Sequence, residues 1–207
     1  MTPTRIFHSD DRQEAMRFLK AHPFAMLAVN GEQGPVSAMV PLVADKNGEA
    51  LLGHVARINP FWTSAKDAPQ AIAIFKGADA YVSPSFYASK QEHGKVVPTW
   101  NYMALEVRGA IHIETDPSAM MPYITALTDR MESHRDMPWK VSDAPDDYIE
   151  KLSHGIVGFQ LKIDDMSYVR KLSQNKNPQD LAGVIAAFEA SDDHEQVKLA
   201  KEMKEDN

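Results

Sequence analysis

Residues 52–62 read Leu-Gly-His-Val-Ala-Arg-Ile-Asn-Pro-Phe-Trp and pass from a strand pattern into a helix start. Asn59 is suited to cap a helix, and Pro60 is suited to its first turn. Free backbone N–H groups at such a start favour an anion, and Arg57 adds a charged donor fork. The segment therefore predicts a corner beside His54 and Arg57 into which a phosphate would fit. The alternative is that Asn59 only caps the helix and that Arg57 is a solvated surface charge.

The sequence on both sides of this corner predicts an antiparallel arrangement of strands. Short apolar or alternating runs separated by turn residues predict strands over 24–29, 36–44, 50–55, 70–76, 80–83, 100–114 and 155–163. Pro41 cannot donate to a strand ladder, so it predicts an edge or a bulge, and Gly109 predicts a bend in the long strand 100–114.

Helices are predicted around these strands. Three- and four-residue spacing of apolar residues predicts helices over 10–20, 59–66, from Asp116, over 143–152 and from Asn177. Strands of this kind with helices at the ends and over one side indicate an α+β fold built on an antiparallel β-barrel.

Length and composition limit the class of protein. The 207 residues predict a single domain over 1–190 and a charged tail over 191–207, either a solvated helix or disordered. The chain has no cysteine, which favours a reducing cytoplasm, and its start resembles neither a signal peptide nor a membrane span. A net charge of −7 disfavours direct DNA binding by the surface as a whole. The histidines show no paired metal-ligand spacing, so no metal site is expected.

Two further segments carry polar residues beside rings or cations. In residues 95–102, Lys95, Thr99 and Asn101 alternate with large side chains that include Trp100, a composition suited to a planar heterocycle. The alternative is a loop whose aromatic residues anchor in the core. Residues 171–176, Lys-Leu-Ser-Gln-Asn-Lys, form a polar and partly cationic connector.

Six motifs in order give the chain a resemblance to a known family. They are Gly53-His-Val-Ala-Arg-Ile-Asn-Pro60, Tyr81-Val-Ser-Pro-Ser-Phe-Tyr87, Lys95-Val-Val-Pro-Thr-Trp-Asn-Tyr102, Pro138-Trp139, Ile156-Val-Gly-Phe159 and Lys171-Leu-Ser-Gln-Asn175. Together they resemble the FMN-binding negative transcriptional regulators of the Pai type. The resemblance extends from about Ile6 to Phe188.

The resemblance implies an FMN-binding split β-barrel of the pyridoxamine-phosphate-oxidase-like superfamily, with peripheral helices. It implies a homodimer with flavin at the subunit interface, together with a DNA or regulatory partner. It places the FMN phosphate on His54, Arg57 and Asn59. Further cofactor contacts implied near the flavin or the dimer seam are Lys95, Thr99, Trp100, Asn101, Ser173, Gln174 and Asn175.

Three functions remain open on the sequence alone. The first is a regulatory flavoprotein in which FMN sets the conformation of a dimer that influences gene expression. The second is a flavin-dependent oxidoreductase acting on a small molecule, although no residue pair is committed to acid and base roles. The third is a split barrel that binds haem, with His54 or His93 as a ligand, or no cofactor at all.

Overall fold

A computed structural model describes residues 5–68 and 70–206, which form two compact units. The first unit contains residues 5–15, 76–105 and 167–206, and the second contains 16–75, with Pro69 undescribed, and 106–166. Two long strands continue from one unit into the other along the chain. The predicted single domain over 1–190 stays a prediction.

The described part of the chain contains ten strands and seven α-helices, with several strands or helices following one another directly. The strands are β1 (His8–Ser9), β2 (Phe24–Gly31), β3 (Gly34–Pro41), β4 (Val43–Ala44), β5 (Ala50–Ala56), β6 (Ala71–Val82), β7 (Thr99–Gly109), β8 (Ile111–Glu114), β9 (Ile156–Lys162) and β10 (Asp165–Lys171). The α-helices are α1 (Arg12–Ala21), α2 (Phe61–Asp67), α3 (Ser89–Glu92), α4 (Met121–Glu132), α5 (Asp146–Ser153), α6 (Pro178–Glu189) and α7 (His194–Asp206).

The second unit is built on antiparallel strand pairs. Its four-stranded sheet has the order β4-β5-β9-β8, and the start of β6 lies beside β2, which lies beside β3. β5 pairs with β9 from Ala50 opposite Lys162 to Ala56 opposite Ile156. One face of this pair is apolar and buried, and α2 lies against it through Phe61, whose ring meets that of Phe159. Burying each of these large side chains contributes about 1.5–3 kcal/mol.

The first unit holds β1, β10, residues 99–105 of β7 and the end of β6 in that order. Its core includes Met103, Leu105, Val169 and Phe188. The buried carboxylate of Asp180, in the first turn of α6, accepts hydrogen bonds from the backbone N–H and the hydroxyl of Ser89. These bonds tie α3, in the segment between β6 and β7, to helix α6.

The C-terminal tail is a helix with one buried side. In α7 the side chains of Leu199, Ala200 and Met203 are buried. Near its end the Asp206 carboxylate lies 2.6 Å from the Arg170 guanidinium, which also pairs with Glu14. Of the two alternatives, a solvated helix or a disordered tail, the structure has the helix, and its apolar side packs inward while its charged side is exposed.

Several sequence predictions differ from the structure, among them the strand over 36–44, because β3 ends at Pro41 and β4 lies in a different sheet. The single strand over 100–114 is two strands, because β7 ends at Gly109 and β8 begins at Ile111 in a different sheet. The runs 70–76 and 80–83 form one strand, β6. Strand β10 was not predicted. Pro41 lies at the end of β3, the outermost strand of the sheet, as the edge prediction requires.

No helix in the described ranges, 5–68 and 70–206, is both long enough and apolar enough to span a membrane.

Replacing Gly109 with alanine should destabilise the protein. A Cβ at this position would lie 1.7 Å from the backbone oxygen of Lys162, so β7 or β9 would have to move. We expect the free energy of unfolding to fall by about 2 kcal/mol or more in urea titrations. Gly155→Ala is the matched control, since its nearest neighbour would be the Leu152 oxygen at 3.2 Å. Equal stability of the two variants would contradict the close approach of Gly109 to the backbone of Lys162.

Candidate functional site

His54 lies in the middle of β5, opposite Gly158 of β9. Helix α4 approaches this face closely, because a Cβ on Gly158 would lie 3.0 Å from the ring of Tyr123. The His54 ring is half-buried, and its Nδ1 is a buried atom with no hydrogen-bond partner in the described chain. Burial lowers the pKa of His54 below its ordinary value, since the charged imidazolium is poorly solvated there.

Arg57 follows the end of β5 and bridges three backbone segments. Its Nε donates to the carbonyl of His154 at 2.8 Å, and its Nη2 donates to the carbonyls of Thr115 and Ile156, both at 2.9 Å. The Arg57 backbone N–H also donates to the Gly155 carbonyl at 2.8 Å, which continues the β5–β9 ladder. The guanidinium is therefore fixed between the end of α5, the start of β9 and the residue after β8.

The turn from Arg57 to α2 is closed by side chains of the same segment. The Asn59 Oδ1 accepts a bond from the Phe61 N–H at 2.9 Å, and the Trp62 Nε1 donates to the Arg57 carbonyl at 2.8 Å. Asn59 therefore makes the capping contact that its position in the sequence predicts. Its amide nitrogen is not used in that contact.

The corner keeps an unbalanced positive charge. No carboxylate within 4.0 Å of the Arg57 guanidinium is recorded across the described ranges. Three of its five N–H groups bind carbonyls, and those carbonyls carry no full charge. This arrangement holds an arginine in one orientation and leaves its Nη1 group for an anion.

The predicted residues of the first unit fall into two groups. Asn101 is fully buried, and its amide exchanges hydrogen bonds of 2.9 and 3.2 Å with the Ser173 hydroxyl. Ser173 has a left-handed φ of 68°, so this bond holds a strained backbone position. The Gln174 amide donates to the Arg170 carbonyl and to Asp206. These three side chains use their polar groups within the unit.

The other four predicted residues are more accessible. Lys95, Trp100 and Asn175 are exposed, and Thr99 is half-buried. The Trp100 Nε1 donates to Asp79 at 2.9 Å, and its ring meets that of Tyr81 edge to face. The structure thus places His54, Arg57 and Asn59 in the second unit and the seven remaining predicted residues in the first.

Sequence reasoning missed two lysines of the first unit. The Lys171 ammonium donates to the Thr99 hydroxyl, and Lys176 lies 4.4 Å from the centre of the Tyr87 ring. Burial, and then the charge of Lys176, lower the pKa of Lys171. Both lysines belong to the segment 171–176, and two positive charges in so short a segment were the sequence feature that could have identified them.

An exposed apolar face lies on strands β2, β3 and β6 of the second unit. Phe24 and Met39 are 59% and 57% exposed, and Met26, opposite Met39 in register, is 37% exposed. Ile72 and Ile74 of β6 are half-buried on the same face. Contiguous apolar surface of this kind is typical of an interaction surface.

Comparisons with known proteins agree with this architecture. Residues 1–165 match the family profile described as "Putative FMN-binding domain". The chain is 29% identical over 205 residues to protease synthase and sporulation protein PAI 2 of Bacillus subtilis, covering 98% of this chain and 95% of that protein.

Solved structures share the fold at low sequence identity. One is the FAD and heme binding protein of Mycobacterium smegmatis, with a TM-score of 0.61, 17% identity and coverage of 84% of this chain and 78% of that one. Another is the flavocytochrome Anf3 of Azotobacter vinelandii, with a TM-score of 0.61, 12% identity and coverage of 96% and 78%. The predicted fold class, an α+β antiparallel split β-barrel with peripheral helices, is confirmed.

The buried His54 predicts a pH-dependent loss of stability. Its pKa in the folded protein lies below the ordinary 6.5, so the unfolded chain binds a proton first as the pH falls. The destabilising effect of His54 is therefore absent above pH 6.5. Below pH 6.5 it lowers the free energy of unfolding progressively, by up to about 1.36 kcal/mol per pH unit, until His54 protonates in the folded protein.

Between pH 7.5 and 5.5, wild type should lose more free energy of unfolding than His54→Gln, and the difference should grow as the pH falls below 6.5. Urea titrations at each pH measure this difference. His112→Gln, at an exposed position on β8, is the matched control and should follow wild type. A His54→Gln curve parallel to that of wild type would contradict burial of the ring.

Proposed function

Because the chain belongs to the putative FMN-binding domain family, we propose that it binds FMN and that Arg57 holds the phosphate. The sequence resemblance to the Pai-type family is confirmed by the matched domain and by the PAI 2 relative. The family match over residues 1–165 is the single observation that carries the proposal. Bound FMN would supply electron-transfer chemistry that no side chain provides.

The contacts of Arg57 support its role in this proposal. A phosphate needs a cation that is not already neutralised, and the described chain gives Arg57 three carbonyl partners and no carboxylate. Because these bonds fix the guanidinium before a ligand arrives, little side-chain freedom is lost on binding. The remaining Nη1 group keeps two N–H donors for a phosphate oxygen and a further acceptor.

His54 and Asn59 support the same corner more weakly. The Asn59 amide nitrogen is a donor that the capping contact leaves over. His54 has an unpartnered buried Nδ1 three residues before Arg57. We propose both as neighbours of the phosphate.

Only some of the predicted residues of the first unit are proposed to contact the cofactor. Lys95, Thr99, Trp100 and Asn175 are retained as proposed cofactor contacts, because they are exposed or half-buried. Asn101, Ser173 and Gln174 are left out, because binding flavin would break buried or partly buried hydrogen bonds that they already make.

The phosphate role of Arg57 is tested by comparing FMN with riboflavin, which lacks the phosphate. Wild type should bind FMN about 10- to 150-fold more tightly than riboflavin, the scale of a charged hydrogen-bonded contact. In Arg57→Ala this preference should fall to nearly one; the ratio of the two affinities is the readout, because the variant also loses the three bonds to the carbonyls. Quenching of flavin fluorescence measures both affinities.

Arg135→Ala is the control for this titration, since Arg135 is an exposed arginine paired with Glu132. It should keep the full preference for FMN. An Arg57→Ala variant that still discriminates between the two flavins would remove Arg57 from the phosphate site. A Soret band without flavin absorption in the purified protein would show that the bound cofactor is haem and not FMN.

We further propose that the protein is a homodimer formed through the exposed apolar face of β2, β3 and β6. The most exposed of these side chains, Phe24 and Met39, are large and apolar, and water would be excluded from them by a second copy. A two-fold dimer places the same face of both copies together, so a self-complementary apolar surface is sufficient. Flavin at that subunit interface is part of the proposal.

Met39→Asp should convert the dimer into a monomer. An aspartate on an already exposed position leaves the fold intact but would be desolvated in the dimer. Light scattering after size exclusion should show half the wild-type mass at micromolar concentration. Met137→Asp is the control, because Met137 is 90% exposed and lies outside this face. A Met39→Asp dimer would refute this interface.

The proposed physiological role is negative regulation of transcription by an indirect route. PAI 2 is a relative over nearly the whole chain, and its name assigns it to protease synthesis and sporulation. The net charge of −7 opposes contact with the DNA backbone, so the proposed route runs through a regulatory partner or a metabolite rather than an operator.

FMN-loaded protein should therefore not retard promoter DNA from its own genome. Electrophoresis at low and moderate salt tests this, because a protein that neutralises phosphates binds much more tightly at low salt. Retardation that weakens steeply with added salt would overturn the indirect route.

A further inference from the structure

A cavity lies within the second unit, beside the start of α4. It has a volume of about 650 Å³, within the range of small-molecule sites. Its walls come from the segment before α4, from a short turn before α5 and from one face of α5. They are Asp116, Pro117, Ser118, Met121, Val141, Ser142, Asp146, Ile149, Glu150, Ser153 and His154.

The α5 wall follows from helix periodicity. Asp146, Ile149, Glu150 and Ser153 are spaced at three and four residues, so they share one face of the helix. This face places an apolar side chain between two carboxylates. Met121 and Val141 add apolar surface from the other walls.

The cavity is acidic, although its lining also includes His154. Asp116, Asp146 and Glu150 line it, and the lining includes neither lysine nor arginine. Hydrogen bonds from Ser118 lower the pKa of Asp116, which keeps that carboxylate ionised. Across residues 5–68 and 70–206, no three acidic or histidine side chains converge closely enough to hold a metal ion. The carboxylates are thus separated around an apolar pocket.

The walls are held in place by Arg57 from outside the cavity. Its bonds to the carbonyls of Thr115 and His154 fix the chain next to Asp116 and the end of α5. A cavity whose walls are braced in this way costs little reorganisation when it binds a ligand.

We propose that this cavity binds a small organic cation that carries an apolar body, such as an arylalkylamine. The apolar body would contact Met121, Val141 and Ile149, and the ammonium group would face Asp146 and Glu150. A metal ion would lack converging ligands, and an anion would meet three carboxylates. The site is separate from FMN binding and does not depend on it.

Isothermal titration with 2-phenylethylamine tests the proposal on the full chain, with and without FMN. At neutral pH and low salt, the dissociation constant should be about 1 mM or lower. 2-Phenylethanol, which has the same shape without the charge, should bind at least about tenfold more weakly, and phenylacetate more weakly still. Failure of the amine to bind at about 10 mM, or equal binding of the alcohol, would overturn the proposal.

Variants of α5 locate the site. Asp146→Asn and Glu150→Gln should each weaken amine binding about threefold, and the double variant about tenfold, while 2-phenylethanol binding stays unchanged. Asp147→Asn is the matched control, because Asp147 is an exposed acid on the same helix outside the cavity lining. If the double variant binds the amine as tightly as wild type, or if Asp147→Asn weakens binding equally, the ligand binds elsewhere and the proposed site is refuted.

Discussion

The Arg57 guanidinium joins three backbone segments, and both proposed sites depend on that junction. Its three carbonyl partners belong to residues after β8, at the end of α5 and at the start of β9. Hydrogen bonds from a charged donor to carbonyl groups are stronger than neutral ones. The junction fixes the corner between β5 and α2 on one side and the walls of the acidic cavity on the other.

The charges of the second unit are separated around this residue. Arg57 has carbonyl partners and no recorded carboxylate, whereas the lining of the neighbouring cavity has three carboxylates and neither lysine nor arginine. Neutralising Arg57 with one of those carboxylates would have removed both preferences. Keeping them apart gives one place that suits a phosphate and another that suits a cation, both within the second unit.

Local signals in the sequence predicted much of the fold. Asn59 and Asn177 cap the segments that they were expected to cap, and Pro41 lies on an edge strand. Strand β10 was missed because its start, Asp165-Met166-Ser167, has little apolar character. The break at Gly109 was predicted only as a bend, because the backbone of Lys162 that comes close to it is distant in sequence.

The sequence indicated candidate residues for the site, but not the groups that these residues contact. The carbonyls that bind Arg57 lie 58 to 99 residues away, and backbone carbonyls leave no mark on the sequence. Asn101 and Ser173 lie 72 residues apart, so their mutual bond could not be distinguished from cofactor binding. The acidic cavity needed α5 and the start of α4 to be brought together.

A crystal structure of the protein with FMN bound tests the central claim most directly. The account predicts phosphate oxygens within hydrogen-bond distance of the Arg57 Nη1, while Nε and Nη2 keep their bonds to the three carbonyls. A phosphate held elsewhere, or an Arg57 side chain that leaves those carbonyls to reach it, would contradict the account.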